Sequence, residues 1–151
     1  MATRFTHAIV AKIIRENKPR GWKVLERESE RLDPIDGSRD TDGKCHFEEK
    51  VISVRPIVSL YMLHVFLHEI AHAKFHTRPS TLELHQEEYE AEIWAFRVMR
   101  QYGFRIPREL REEARRNVRV RLEQDDLAGL PINPRVHRWV RYASQGAQGV
   151  L

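Results

Sequence analysis

Two histidines one helical turn apart, with a glutamate between them, are the residues of this chain best suited to chemistry. They form the sequence His68-Glu69-Ile70-Ala71-His72. Residues i and i+4 lie above one another on a helix, so both imidazoles can bind the same zinc ion. Glu69 is rotated by roughly 100° from His68 and would lie beside the metal, where it can accept a proton from bound water. The pattern therefore predicts one catalytic Zn²⁺, with Glu69 as the catalytic general base.

A catalytic zinc needs a third protein ligand and an open fourth position. Glutamates are concentrated after His72, in the segment Glu87–Glu92 of a predicted second helix. Helical periodicity leaves the choice open, because Glu87 lies near the apolar stripe of this helix and Glu90 at its edge. Three further side chains are candidate donors to a developing oxyanion: His76, His85 and Tyr89.

The two segments together resemble metallopeptidases of the ImmA/IrrE type, whose pattern is HExxH followed by Glu-Ala-Asn-x-Phe-Ala. The second element here is Glu90-Ala91-Glu92-Ile93-Trp94-Ala95, with Glu92 in place of the usual Asn. The resemblance covers roughly residues 45–102 and implies that Glu90 is the third zinc ligand, with Glu87 as the alternative. It also implies a specific protein substrate, often a transcriptional repressor. SprT-like zinc proteases, which are associated with DNA, are a second resemblance.

The elements that must position these residues follow from the hydrophobic pattern, which predicts one α+β domain over residues 1–151. A small, mainly antiparallel sheet is expected to pack on the HExxH helix and on the following glutamate-bearing helix, an arrangement that the resemblance makes zincin-like. The predicted parts are an N-terminal helix (1–18), this core (22–102), a helical Arg-rich extension (107–143) and a flexible tail (144–151).

Strands and helices can be assigned more closely within that core. Lys50–Arg55 is rich in β-branched residues, and Trp22–Glu26 and Cys45–Phe47 are the other two predicted strands. Pro56 is predicted to begin the HExxH helix, which runs to about His76, because proline is favoured at the first helical position. The elements that follow are predicted as a helix over Leu84–Tyr102, a helix from Pro107, a loop over Asp125–Pro134 and a short helix over Val136–Ala143.

The C-terminal part of the chain is strongly basic. From Arg97 onward there are 12 arginines and six acidic residues. Five of these arginines are candidate contacts to phosphates or to a partner: Arg108, Arg111, Arg115, Arg119 and Arg138. Interleaved glutamates and sparse aromatic residues are equally typical of a solvated helix face. The basic C-terminal part and the departure from the ImmA/IrrE pattern at Glu92 favour a second hypothesis, a degenerate zincin that binds protein or nucleic acid without catalysis.

Composition excludes several other classes of protein. The single cysteine, Cys45, rules out a disulfide framework, a cysteine-based zinc finger and an iron–sulfur cluster within the chain. The longest apolar run is too short and too polar to span a membrane. The N-terminus lacks the pattern of a signal peptide, so a cytoplasmic location is expected.

Overall fold

The computed structural model describes residues 1–27, 33–38, 42–76 and 78–145. The fold is α+β, as predicted. No helix in these ranges is long and apolar enough to cross a membrane. Of the predicted tail, residues 144 and 145 close the last helix, and 146–151 lie outside the described residues. The elements in chain order are α1 (His7–Asn17), β1 (Lys23–Glu26), β2 (Gly43–His46), β3 (Val51–Val54), α2 (Leu60–Phe75), α3 (Leu84–Gln101), α4 (Arg108–Leu127) and α5 (Pro134–Gln145).

The sheet is mixed rather than mainly antiparallel. Its strand order is β1-β3-β2, and β3 pairs antiparallel with β2 but parallel with β1. A turn that includes Glu48 and Glu49 joins β2 to β3. The segment between β1 and β2 is long enough for the chain to cross from one side of β3 to the other, so that β1 and β3 can run parallel. The residue pattern of a strand does not encode its direction, so the sequence alone does not predict this pairing. Ile52 and Val54 of β3 are fully buried and turn toward the helices.

A cluster of buried ion pairs holds the segment that follows β1 against the sheet. The Arg27 guanidinium lies 2.7 Å from Asp33 Oδ2 and donates to Ser53 Oγ on β3 at 2.7 Å. His46 Nε2, at the end of β2, lies 3.1 Å from the same Asp33 oxygen. Burial opposes the charge of Asp33, but hydrogen bonds from the Ile35 amide and from His46 lower the pKa of its carboxyl. The cluster ties all three strands to one carboxylate.

The HExxH helix begins at Leu60, four residues later than predicted. Ser59 is its N-cap, and its hydroxyl accepts a hydrogen bond from the Met62 amide at 3.2 Å. A serine that satisfies one of the free amides of the first turn sets the helix start more strongly than proline does. Pro56 therefore lies in the segment that leads to the helix, and His76 is the C-cap at the other end.

Helix α3 packs against α2 through small residues. Ala91 and Ala95 have no exposed surface and let the two backbones approach closely. The predicted bounds of α3 agree closely with the structure. The helix ends at Gln101, with Gly103 just beyond it at φ 84°, a conformation that glycine adopts without strain.

Helix α4 joins two hydrophobic cores. Leu110 and Ala114 belong to the main core with α2, α3 and the sheet. Val118 and Leu122 belong to a smaller core formed with α5. All four residues are buried, and their spacing of four positions places them on one face of the helix.

The C-terminal end of α4 extends into the predicted loop, as far as Leu127. Asp125, on this last stretch, accepts hydrogen bonds from the backbone amide and from Nδ1 of His85 at 3.0 and 2.6 Å. The Asn133 amide in turn donates to His85 Nε2 at 3.1 Å. One buried histidine at the start of α3 thus fixes the end of α4 and the start of α5.

Candidate metal centre

The two histidines of the HExxH sequence face each other across one turn of α2. Their Nε2 atoms are 3.0 Å apart. His72 is buried, and the side chain of His68 is 13% exposed. The spacing that the sequence predicts is therefore present, and both ring nitrogens converge on one point.

The carboxylate that meets this pair belongs to Glu88. Its Oε2 lies 3.2 Å from His68 Nε2, and its Oε1 lies 3.3 Å from His72 Nε2. One ligand atom from each of the three residues falls within 4.8 Å of the others. Glu88 was not among the candidates from the sequence, so the structure adds it to the site.

The two predicted third ligands lie elsewhere. Glu90 Oε2 is 3.1 Å from His76 Nε2, and Glu90 has no contact with the paired Nε2 atoms among the described ion pairs. Glu87 is buried and accepts two hydrogen bonds of 3.1 Å from Arg78. The structure therefore places Glu88, and neither Glu90 nor Glu87, beside the Nε2 atoms of the two HExxH histidines.

Helical phase explains this difference. Glu88 and Glu92 are four residues apart, so they share the face of α3 that looks toward the imidazoles of α2. Glu90 lies two positions from each of them and is rotated to another side of the helix. The contacts of Ala91 and Ala95 set the distance between α2 and α3. At this distance the Glu88 carboxylate reaches the Nε2 atoms of both histidines.

A second carboxylate fixes the protonation of His68. Glu92 Oε1 lies 3.2 Å from His68 Nδ1, and Glu92 Oε2 lies 2.5 Å from His64 Nε2. Both histidine atoms are buried, and an ionised carboxylate only accepts hydrogen bonds. In the neutral ring the proton therefore lies on Nδ1, toward Glu92, and Nε2 is the atom that can bind a cation.

The electrostatics favour a positive charge at this point. Burial alone would lower the pKa of His68, but the Glu92 and Glu88 carboxylates outweigh it and raise that pKa well above its usual value. Burial would raise the pKa of Glu88, but His68 and His72 hold it well below its usual range. When no metal is bound, a second proton on the His68 ring gives it a positive charge that balances the Glu92 and Glu88 carboxylates.

The donor set fits a zinc ion. Two imidazole nitrogens and one carboxylate provide three ligands of the kinds that zinc prefers, on two helices and with room for a fourth ligand on the cleft side. Their donor atoms already lie 3.0–3.3 Å apart, held by ion pairs, and a bound zinc would replace the protons that stabilise this cluster.

Glu69 lies beside the pair, in a tight space between α2 and β2. A Cβ placed on Gly43 would lie 2.7 Å from Val65 Cγ1 and 3.2 Å from Glu69 Cγ. Only glycine lets the strand approach the helix this closely. Burial raises the pKa of Glu69, although His68 and His72 act in the opposite direction. A carboxyl with a raised pKa is better suited to carry a proton near neutral pH than an exposed one.

A cleft of about 400 Å³ opens over this site. One wall is α2 and α3, and the start of β2 forms an edge. The other wall is α4, which the sequence placed in a separate extension. The side chains that line it include His68, Glu69, Glu88 and Glu92, with Asp42, Tyr61 and, from α4, Leu110, Glu113, Ala114, Asn117 and Arg121. The sequence does not predict that α4 lines the cleft. Its apolar stripe predicts which face is buried, but not which part of the protein its polar face lies beside.

The three proposed oxyanion donors do not line the cleft. His76 is buried against His72 and Glu90, with both of its nitrogens in hydrogen bonds. His85 uses both ring nitrogens to fasten α4 and α5. Tyr89 stacks edge-on against Trp139, with ring centroids 5.3 Å apart. The roles of all three are therefore corrected to contacts within the fold.

The arginines chosen as phosphate contacts are partly engaged inside the protein. Arg119 donates to the Val140 carbonyl at 2.8 Å, and the Arg115 guanidinium lies 5.5 Å from the centre of the Trp139 ring. Arg108 pairs with Glu112 at 2.6 Å. Arg111 and Arg138 are exposed. Two of the five therefore hold α5 against α4.

Comparison with models of known protein families gives no match, and comparisons with curated proteins and with solved structures give none either. The functional argument therefore depends on the arrangement of the residues themselves.

Proposed function

We propose that this protein is a zinc-dependent metallopeptidase with a zincin-like core, in which His68, His72 and Glu88 hold the zinc. The observation that carries the proposal is the convergence of these three side chains, with His68 Nδ1 facing Glu92 so that Nε2 is the atom left for the metal. The sheet beside the HExxH helix and the following glutamate-bearing helix support the zincin-like description.

A bound zinc and Glu69 would have separate roles in peptide hydrolysis. A bound zinc would lower the pKa of a water molecule toward about 7 and polarise the scissile carbonyl. Glu69, between β2 and the imidazoles, is placed as the general base that would accept a proton from such a water and pass it to the leaving amine. Burial of Glu69 raises its pKa in the direction that this proton transfer needs.

We propose a folded protein as the substrate, in line with the resemblance to ImmA/IrrE peptidases, which implies a regulatory protein such as a repressor. The cleft supports this, because about 400 Å³ is near the lower end of the roughly 300–1,000 Å³ typical of ligand sites. A short cleft holds few side chains of a peptide. Selectivity would then depend on a surface around the cleft, which a docked protein supplies.

The test begins with metal content and continues with one substitution. Purified protein is expected to contain one zinc per chain, and Glu69→Gln should keep that zinc because Glu69 is not a ligand. Hydrolysis of a protein or peptide library should fall by about 10²–10⁴-fold in the variant, the range typical of a lost general base. Glu83→Gln, at the start of α3 and outside the cleft lining, is the matched control and should cleave like the wild type.

Two results would contradict the proposal. A chain that takes up no zinc from a stoichiometric solution lacks the site. A Glu69→Gln variant that cleaves at the rate of the wild type lacks the mechanism.

A further inference from the structure

A chain of hydrogen bonds runs from His72 away from the proposed metal. His72 Nδ1 lies 2.9 Å from His76 Nδ1, and His76 Nε2 lies 3.1 Å from Glu90 Oε2. The other Glu90 oxygen accepts a hydrogen bond from the Gln86 amide at 3.2 Å. His76 is 1% exposed, so its ring has no solvent to replace these partners.

We infer that His76 and Glu90 are positioning residues that hold His72 in the tautomer and orientation needed to bind the metal. This inference rests on the proposed function. The positions of the protons on His76 and His72 follow from the Glu90 carboxylate at the end of the chain of hydrogen bonds. The Glu90 carboxylate only accepts, so His76 Nε2 carries a proton and neutral His76 has a free lone pair on Nδ1. His72 Nδ1 therefore donates to it, and His72 Nε2 presents its lone pair beside Glu88.

The opposite arrangement is unfavourable. If His76 Nδ1 donated to His72, neutral His76 would have a bare Nε2, and that lone pair would face the Glu90 carboxylate at 3.1 Å. His72 would then carry its proton on Nε2, directed at the site where the metal binds. The observed contacts thus favour the one tautomer that can act as a ligand.

The two HExxH histidines are supported differently. His68 Nδ1 meets a carboxylate directly, that of Glu92. His72 reaches its carboxylate, Glu90, only through the ring of His76. This gives a function to Glu90, the residue that the resemblance implied as a ligand, without placing it on the metal.

A second metal ion is the competing interpretation of the same residues. One ligand atom each from His72, His76 and Glu87 also falls within 4.8 Å of the others. However, both Glu87 oxygens already accept from Arg78, and His76 already meets Glu90. All three residues are buried, so no open side is left for a ligand.

The experiment compares His76→Phe with His76→Asn. Phenylalanine keeps the ring shape but offers no acceptor, and asparagine can place an oxygen near the position of Nδ1. Zinc affinity, measured by competition with a chromophoric chelator, should fall by about 10–100-fold in His76→Phe. His76→Asn should recover most of this loss. The visible spectrum of the cobalt(II)-loaded protein should change in His76→Phe and return toward that of the wild type in His76→Asn.

His85→Phe is the matched control, because His85 is an equally buried histidine with two hydrogen bonds but lies outside the metal centre. It should lower thermal stability while leaving zinc affinity and the cobalt spectrum unchanged. Glu90→Ala, at a side chain that is 42% exposed, tests the same chain of hydrogen bonds if His76→Phe does not fold. It should weaken zinc binding in the same direction and by less.

The outcomes separate the two proposals. Wild-type protein that binds no zinc overturns the proposed function. Wild-type protein that binds one zinc, with His76→Phe and Glu90→Ala binding as tightly, overturns only the positioning role. Two zinc ions in the wild type and one in His76→Phe would replace the positioning role with a second metal site.

Discussion

Glu88 and Glu90 are two positions apart on α3, and their carboxylates meet different histidines. Glu88 lies between the Nε2 atoms of His68 and His72, and Glu90 meets the outer nitrogen of His76. A helix rotates by about 200° over two residues, so one carboxylate faces the cleft and the other does not. The identity of the third ligand is therefore a question of helical phase.

Replacing each carboxylate by its amide tests this phase. Glu88→Gln removes the negative charge from the proposed ligand set and should weaken zinc binding by more than the roughly 10–100-fold typical of an outer partner. Glu90→Gln keeps an oxygen that can accept from His76, so its affinity should stay close to that of the wild type. Titration of both variants with zinc against a chelator measures the difference. If Glu90→Gln loses more affinity than Glu88→Gln, the assignment to Glu88 is wrong.

The sequence predicted part of this site. His68, Glu69 and His72 are adjacent on one helix, so their spacing alone sets their geometry. The proposed third ligand comes from another helix, and its identity depends on how α3 is rotated against α2. Four glutamates between 87 and 92 cover several sides of α3, so no choice could be made before the packing of Ala91 and Ala95 was known.

At the scale of the elements, ends and directions were harder to predict than the presence of helices. The start of α2 depended on the competition between Pro56 and Ser59, which the hydrogen bond to Met62 decides. The direction of β1 depended on its partner β3, which is distant in sequence. Apolar periodicity gives the buried face of a helix, as along α4, but it contains no information about a neighbour in space.

The ion-pair cluster that joins the three strands should make the sheet sensitive to acid. Asp33→Asn removes the carboxylate that contacts both the buried Arg27 guanidinium and His46, and near neutral pH the expected loss of unfolding free energy from breaking this buried ion pair is about 3–5 kcal/mol. Urea unfolding followed by tryptophan fluorescence measures this loss, since Trp22 lies at the start of β1.

The sign of the pH dependence follows from Asp33. Its pKa in the folded protein is below the usual value of 3.8, so the ionised form stabilises the fold at pH values above this number. Below about pH 3.8 the carboxyl of the unfolded chain takes up its proton first, and the stabilisation is lost as the pH falls through the lower pKa of the folded carboxyl. The difference between wild type and Asp33→Asn should therefore be constant from neutral pH to about pH 5 and shrink at lower pH. A difference that persists unchanged into strong acid would show that the Asp33 charge is not what stabilises the cluster.

At the scale of the whole molecule, the metal would add one more link between α2 and α3, which already contact each other through alanines and through His–Glu pairs. A ligand that binds only the folded state stabilises it by RT ln(1 + [L]/Kd), which is about 2.7 kcal/mol when free zinc is 100 times Kd. Zinc should therefore raise the thermal midpoint, and a chelator should lower it again. Differential scanning calorimetry measures both shifts. His68→Asn is the control and should show no zinc-dependent shift.

Helix α4 has a mechanical consequence for the cleft. Its 20 residues form a rod of about 30 Å, with Ala114 seated in the main core and Leu122 in the core of α5. The same helix lines the cleft from Leu110 to Arg121 and packs against α5 through Val118 and Leu122. A displacement of α5 would therefore move one wall of the cleft without touching the proposed zinc ligands.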